Sequence, residues 1–165
     1  MKIENIKPAD IEKRSFEIIS ETLGDKKLDP RYELIIKRCI HTSADFEYAD
    51  SMYFSDGVAD RIKEAIRNGA TIVTDTRMAQ SGINKKRIEA NGGEVLCFIG
   101  DEDVAAEAKS RGLTRSYVSM EKATHLGKPV IFAIGNAPTA LLSICSLVAE
   151  GKLDPVAVVG VPVGF

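Results

Sequence analysis

Apolar positions recur at helical spacing through the first fifty or so residues. They then give way to short β-branched runs separated by further helices. In "ADIEKRSFEIISETLG" (9–24), Ile11, Ser15, Ile18, Ile19, Thr22 and Leu23 fall along one face, and Gly24 stops the helix. "DPRYELIIKRCIHT" (29–42) predicts a second helix, with Asp29 as N-cap, Pro30 at the first helical position, and Ile36 and Ile40 one turn apart. A third starts near Ser55 in "SDGVADRIKEAIRNG", buries Val58, Ile62, Ala65 and Ile66, and ends at Gly69.

From there the texture changes. "ATIVTD" (70–75), "EVLCFIGD" (94–101), "KPVIFAIG" (128–135) and "DPVAVVGVPVGF" (154–165) are apolar runs too short for most helices. Between them lie helical segments at 84–93, 102–112, 114–127 and 137–151, most of them closed by glycine. Strands alternating with helices mean βαβ units and a parallel sheet buried on both faces. The expected fold is α/β: a three-layer, Rossmann-like, mainly parallel doubly wound sheet preceded by N-terminal helices. With no repeat or low-complexity linker, the expectation is one domain over 1–165, with a helical segment 1–54 and an α/β core 55–165. In such folds ligands bind outside the carboxyl ends of the strands.

Composition narrows the function. A net charge of -2 lacks the basic surplus of a general nucleic-acid binder. No apolar run is long enough to span a membrane, and "MKIENIKPAD" lacks the apolar core of a signal peptide. Cys39, Cys97 and Cys145 are far apart and form no CxxC or Cys/His ligand spacing, which suits reduced thiols in the cytoplasm and no metal site.

Chemistry is sought at the strand ends. In "IGNAPTAL" (134–141) the chain leaves a strand through Gly135, Asn136 can cap the next helix, and Pro138 sits in its first turn. The free N–H groups there suit a carboxylate or phosphate, or simply make a well-built turn. "VTDTRMAQSGI" (73–83) places Asp75, Thr76, Arg77 and Met78 at the same crevice, where Arg77 reads more readily as surface than as ligand. Thr114, Arg115 and Ser116 open another helix and serve an anion or merely cap it. Neither GxGxxG nor GxxxxGK[ST] occurs, and no helix follows "GVPVG", so a nucleotide-dependent enzyme is disfavoured. His41 has Arg38 three residues before it and Asp45 four residues after; all three share a face if the helix runs on through residue 45. It is either a proton donor near neutral pH or a polar residue at a helix end. His125, just before Gly127, reads as a structural cation at a helix C-terminus.

Six segments, "IEKRSFEII", "KRCIHTSADF", "GATIVTDTRMAQSGI", "TRSYVSM", "AIGNAPTALL" and "VVGVPVGF", occur in an order and spacing that resembles the precorrin-8X methylmutases, the cobalt-precorrin-8 enzymes included. The resemblance runs from about residue 4 to the last residue. It implies an isomerase that moves a methyl group from C11 to C12 of a corrin-like tetrapyrrole, giving hydrogenobyrinate or cobyrinate. It implies no cofactor, any cobalt belonging to the substrate, and a cytoplasmic homodimer with the site near the subunit interface. It assigns the proton donor and acceptor role to His41 and substrate contacts to Ser15 and Arg38, and places Arg115 near the same pocket. Arg14, Met78, Ser116 and Asn136, in the same segments, join them as substrate-binding candidates. The chain departs from the family's usual pattern at the Thr76-Arg77 pair and at Ala79. Relatives commonly run several dozen residues past "PVGF", so this is expected to be a C-terminally short member. The alternative is a corrinoid-binding relative that has lost turnover.

Overall fold

The computed structural model describes Lys7 and residues 10–163, which include nine α-helices and four β-strands. The chain forms two compact units, Met1–Ala59 and Asp60–Phe165. The residue-1–6 and 8–9 stretches and the end of the "VVGVPVGF" segment lie outside the described residues.

In the first unit, α1 (Ile11–Leu23) packs on α2 (Glu33–Ser43), followed by the single turn α3 (Tyr48–Ser51). Ile19, Tyr32, Ile36, Ile40 and Ala59 form its core, with Phe16, Leu23 and Phe46 packed around them. The predicted apolar face of α1 is only partly used: Ile19 is buried, whereas Ile11 and Ile18 are 49% and 46% exposed. Gly24 ends α1 as expected, at φ 58°.

The second helix begins later than the pattern predicts. The Asp29 carboxylate accepts the Arg31 N–H (2.9 Å), and the Asp29 carbonyl accepts those of Tyr32 and Glu33, so 29–32 form a turn ahead of the helix. Asp29 therefore caps that turn, and Tyr32 is the residue before the first helical position. Tyr32 stacks on Phe54 with centroids 4.2 Å apart and donates its hydroxyl to the Ser55 carbonyl, fixing the start of α2 on the core.

The helix α4 (Val58–Arg67) starts three residues after Ser55, beyond a turn at Gly57 (φ 66°). Its predicted apolar residues Val58, Ile62, Ala65 and Ile66 are half-buried, and Ala59 is the fully buried one.

The second unit carries the sheet. Its elements run β1 (Thr71–Thr74), α5 (Arg77–Gly82), α6 (Lys85–Glu89), β2 (Val95–Leu96), α7 (Glu102–Arg111), α8 (Arg115–Ala123), β3 (Val130–Ile134), α9 (Pro138–Ala149) and β4 (Ala157–Gly160). The strands lie in the order β2-β1-β3-β4 and all pair in parallel. Thr71 is opposite Val130 and Val73 opposite Phe132. Successive side chains of a strand face opposite ways, so burial of both Ile72 and Val73, and of both Ile131 and Phe132, means that both faces are covered. Met120 and Ala123 of α8 and Ile144 and Leu147 of α9 close over Val73 and Phe132.

Two runs yield shorter strands than their composition suggests. "EVLCFIGD" pairs only through Val95 and Leu96, because a turn closed by Asp101 N–H to the Phe98 carbonyl follows. The last run pairs through Gly160, close to Pro162, which has no N–H to give a ladder. Strand order reverses on either side of the β1/β3 pair, and the crevice outside the carboxyl ends of those two strands is where this topology places ligands.

Candidate active site

In the helical unit, α1 and α2 bring three side chains together. Arg38 and His41, one turn apart on α2, both lie against Phe16 of α1. The Arg38 guanidinium carbon is 5.7 Å from the ring centroid, within cation–π range, and the His41 imidazole meets the ring edge-on. Arg38 is also ion-paired with Glu12, one turn before Phe16. His41 is exposed, and its ring nitrogens bond to no described residue.

Arg14 lies beside Glu17 (3.4 Å) and Glu21 (3.8 Å) on the same helix. Ser20, Thr22, Thr42 and Ser43 each donate to the carbonyl four residues back. The half-buried Ser15 hydroxyl makes no such bond among the described residues, which leaves it a donor and acceptor for something else.

Asp45 does not join this group. The helix ends at Ser43, and Ala44 takes a left-handed conformation (φ 58°), with its N–H on the Ile40 carbonyl (2.7 Å). Beyond that turn, Asp45 receives the Glu47 N–H (2.9 Å) and caps the next segment. The shared face therefore holds Arg38 and His41 without a carboxylate from residue 45.

In the α/β unit, the strand ends are tied by one buried acid. Asp75, directly after β1 and 0% exposed, accepts the N–H groups of Gly135 (3.2 Å), Asn136 (2.7 Å) and Ala137 (2.6 Å). These are the amides that the sequence offers to a carboxylate or phosphate. The chain supplies the carboxylate itself. Pro138 does sit at the first position of α9, but Asn136 does not cap that helix; Ala137 precedes it and makes no side-chain cap. Asn136 Oδ1 instead accepts the Thr76 hydroxyl (2.9 Å), while Thr76 Oγ1 accepts the Ala79 N–H and caps α5. Two strand-end loops some sixty residues apart are thus joined twice over.

Around this crevice, Met78 is 71% exposed on the first turn of α5. Thr114 caps α8 through the Tyr117 N–H and donates to the Thr139 hydroxyl (2.8 Å), joining the start of α8 to that of α9. Arg115 is exposed and borders an open groove of about 500 Å³ with Lys109 and Leu113. Ser116 is half-buried beside it.

The sequence candidates therefore fall into two sets. Arg14, Ser15, Arg38 and His41 lie on α1 and α2, and Met78, Arg115, Ser116 and Asn136 on the strand-end rim. Phe16, Glu12 and Thr139 belong to these arrangements and went unassigned in the sequence, whereas Asp75 is placed at the crevice by the sequence without a role. Among the described residues, no group of three or more His, Cys, Asp or Glu side chains could hold a metal ion. No described helix is long and apolar enough to cross a membrane.

The family model described as precorrin-8X methylmutase matches residues 10–165. The chain belongs to the precorrin-8X methylmutase family. It is 46% identical over 160 residues to a cobalt-precorrin-8 methylmutase of Priestia megaterium, covering 97% of this chain and 71% of the relative. It is 42% identical over 164 residues to a cobalt-precorrin-8 methylmutase of Salmonella typhimurium, covering 96% and 76%. The solved precorrin-8X methylmutase of Thermus thermophilus superposes with a TM-score of 0.84 at 35% identity, over 95% of this chain and 76% of that one. Methylmutases are isomerases, so membership in the precorrin-8X methylmutase family makes the chain one of a family of isomerases.

Proposed function

We propose that this protein is a methylmutase acting on precorrin-8X or its cobalt form. It moves the methyl group from C11 to C12 of the macrocycle and releases hydrogenobyrinate or cobyrinate. The match of residues 10–165 to the family carries this reading.

The reaction is an intramolecular rearrangement: the C11–methyl bond breaks, the C12–methyl bond forms, and the ring double bonds shift with no net gain or loss of atoms. Such a reaction needs no redox partner. The protein can hold the reactive conformer and move a proton. We assign the proton to His41, which donates it to a ring nitrogen during migration and recovers one afterwards. Its exposed imidazole, backed by Phe16 and free of other bonds to described residues, supports that role. Arg38, Arg14, Arg115 and the Ser15 and Ser116 hydroxyls are groups suited to the acetate and propionate carboxylates of such a substrate. Met78 and Asn136 complete the substrate-binding set, and the working form is a cytoplasmic homodimer. Cobalt, where present, arrives in the substrate.

Incubation with precorrin-8X tests the reading through the visible spectrum. An orange corrin product is expected from the parent protein, and none from His41→Ala, which should still bind hydrogenobyrinate. An unchanged spectrum beside an active methylmutase control would leave a corrinoid binder without turnover.

A further inference from the structure

Arg77 begins α5 at the β1/β3 switch point, and its guanidinium makes no hydrogen bond or ion pair with any described residue. Arg31, Arg38 and Arg111, by contrast, are all ion-paired. The acids nearest to Arg77 in the chain path are committed elsewhere. Asp75 is held by three backbone amides, and Asp101 by Lys122 at 2.7 Å.

Arg77 is nevertheless not loose. Its guanidinium rests on Gly100, in the loop after β2, where an added Cβ would fall 2.5 Å from Nη2, 3.2 Å from Cζ and 3.4 Å from Nε. Gly100 does not occupy the left-handed region, so its backbone has no need of glycine. The space left by its missing side chain is taken by the guanidinium. A cation seated in a fitted notch, with no acid of its own, is placed for an anion that comes from outside.

We propose that Arg77 is a further substrate-binding residue, gripping a peripheral carboxylate of the tetrapyrrole, with Gly100 as the floor that sets its position. The inference rests on the methylmutase reading and deepens it. It places one carboxylate of the substrate over the β1 and β2 ends, next to the Thr76–Asn136 hydrogen bond. Guanidinium suits the task because its planar fork can take both oxygens of a carboxylate.

The test compares Arg77→Ala, Arg77→Lys, Gly100→Ala and the Arg77→Ala/Gly100→Ala double variant. Steady-state turnover of precorrin-8X and equilibrium binding of hydrogenobyrinate are the readouts. Arg77→Ala should raise KM and the corrin Kd by about tenfold or more, as expected for losing a charged hydrogen bond, with kcat within about twofold. Arg77→Lys should fall between, keeping charge and losing the fork. Gly100→Ala should shift KM in the same direction, and the double variant should be no worse than Arg77→Ala, since both act on one group. Parent-like KM and Kd in Arg77→Ala, or additive effects in the double variant, would overturn the assignment while leaving the methylmutase reading intact. A parent protein that neither binds nor converts the tetrapyrrole would remove both. Should Gly100→Ala fail to fold by circular dichroism, the exposed Arg77→Ala change decides alone.

Discussion

The His41 imidazole meets the Phe16 ring edge-on, with centroids 6.0 Å apart and ring planes at 81°. The same ring carries Arg38, so one aromatic side chain orients both the proposed proton donor and a proposed carboxylate ligand. Phe16→Leu keeps most of the apolar volume but loses the flat edge. It should lower kcat for precorrin-8X by about tenfold, since small misplacements of a catalytic group cost that much, while folding stability drops by less than about 1.5 kcal/mol. Equal kcat in parent and variant would show that His41 is positioned without Phe16.

Glu12 competes with any carboxylate that Arg38 would bind. The pair is exposed and worth about 1 kcal/mol or less. Glu12→Gln should therefore tighten hydrogenobyrinate by up to about fivefold at low salt, with the gain shrinking as salt rises. A weaker corrin complex would mean that Glu12 helps to hold Arg38 in its binding position.

The Asp75 carboxylate is buried against three N–H groups. Replacing it removes charge-assisted bonds and strands those donors away from water. Asp75→Ala should cost about 2–4 kcal/mol, read as a lower urea midpoint. A midpoint equal to the parent's would mean that the turn between β3 and α9 holds itself.

These cases mark what the sequence could and could not disclose. "VIFAI" is apolar at every position and "TIVT" is β-branched at every position, and such runs without alternation point to a parallel sheet covered on both faces. The pairing of Asp75 with amides sixty residues later is not local, and no periodicity encodes it. The contact of Phe16 with His41 depends likewise on how α1 packs against α2. The break at Ala44 was hidden for a different reason. Alanine is a strong helix former, so nothing in "IHTSADF" announces a left-handed residue before Asp45.

Ser143 Oγ is buried in α9 without a hydrogen-bond partner among the described residues. Ser143→Ala removes an unsatisfied polar atom at almost no change in volume. It should raise stability by about 1 kcal/mol, seen as a higher urea midpoint with unchanged slope. A loss of stability would reveal an ordered water serving that hydroxyl.

The hydrogen bond from Lys122 holds the Asp103 carboxyl below its ordinary value. A depressed folded-state value stabilises the protein above the unfolded carboxyl's titration and loses that contribution as pH falls through the folded one. Stability in acid, below about pH 4, should therefore fall more gently in Asp103→Asn than in the parent. The difference should fade in high salt because the pair is exposed. Superimposable acid limbs at low salt would show the ion pair to be without thermodynamic effect.

Filling the turn after β3 with Asp75 has a consequence for how such a fold can change its ligand. An amide nest reads phosphate through the backbone, and that preference survives most substitutions around it. Here the nest is plugged from within by Asp75, so a ligand at this crevice is left to the replaceable side chains of the rim, among them the proposed ligands Arg77, Asn136 and Arg115. A lineage built this way can change its ligand by single substitutions, with its main chain untouched.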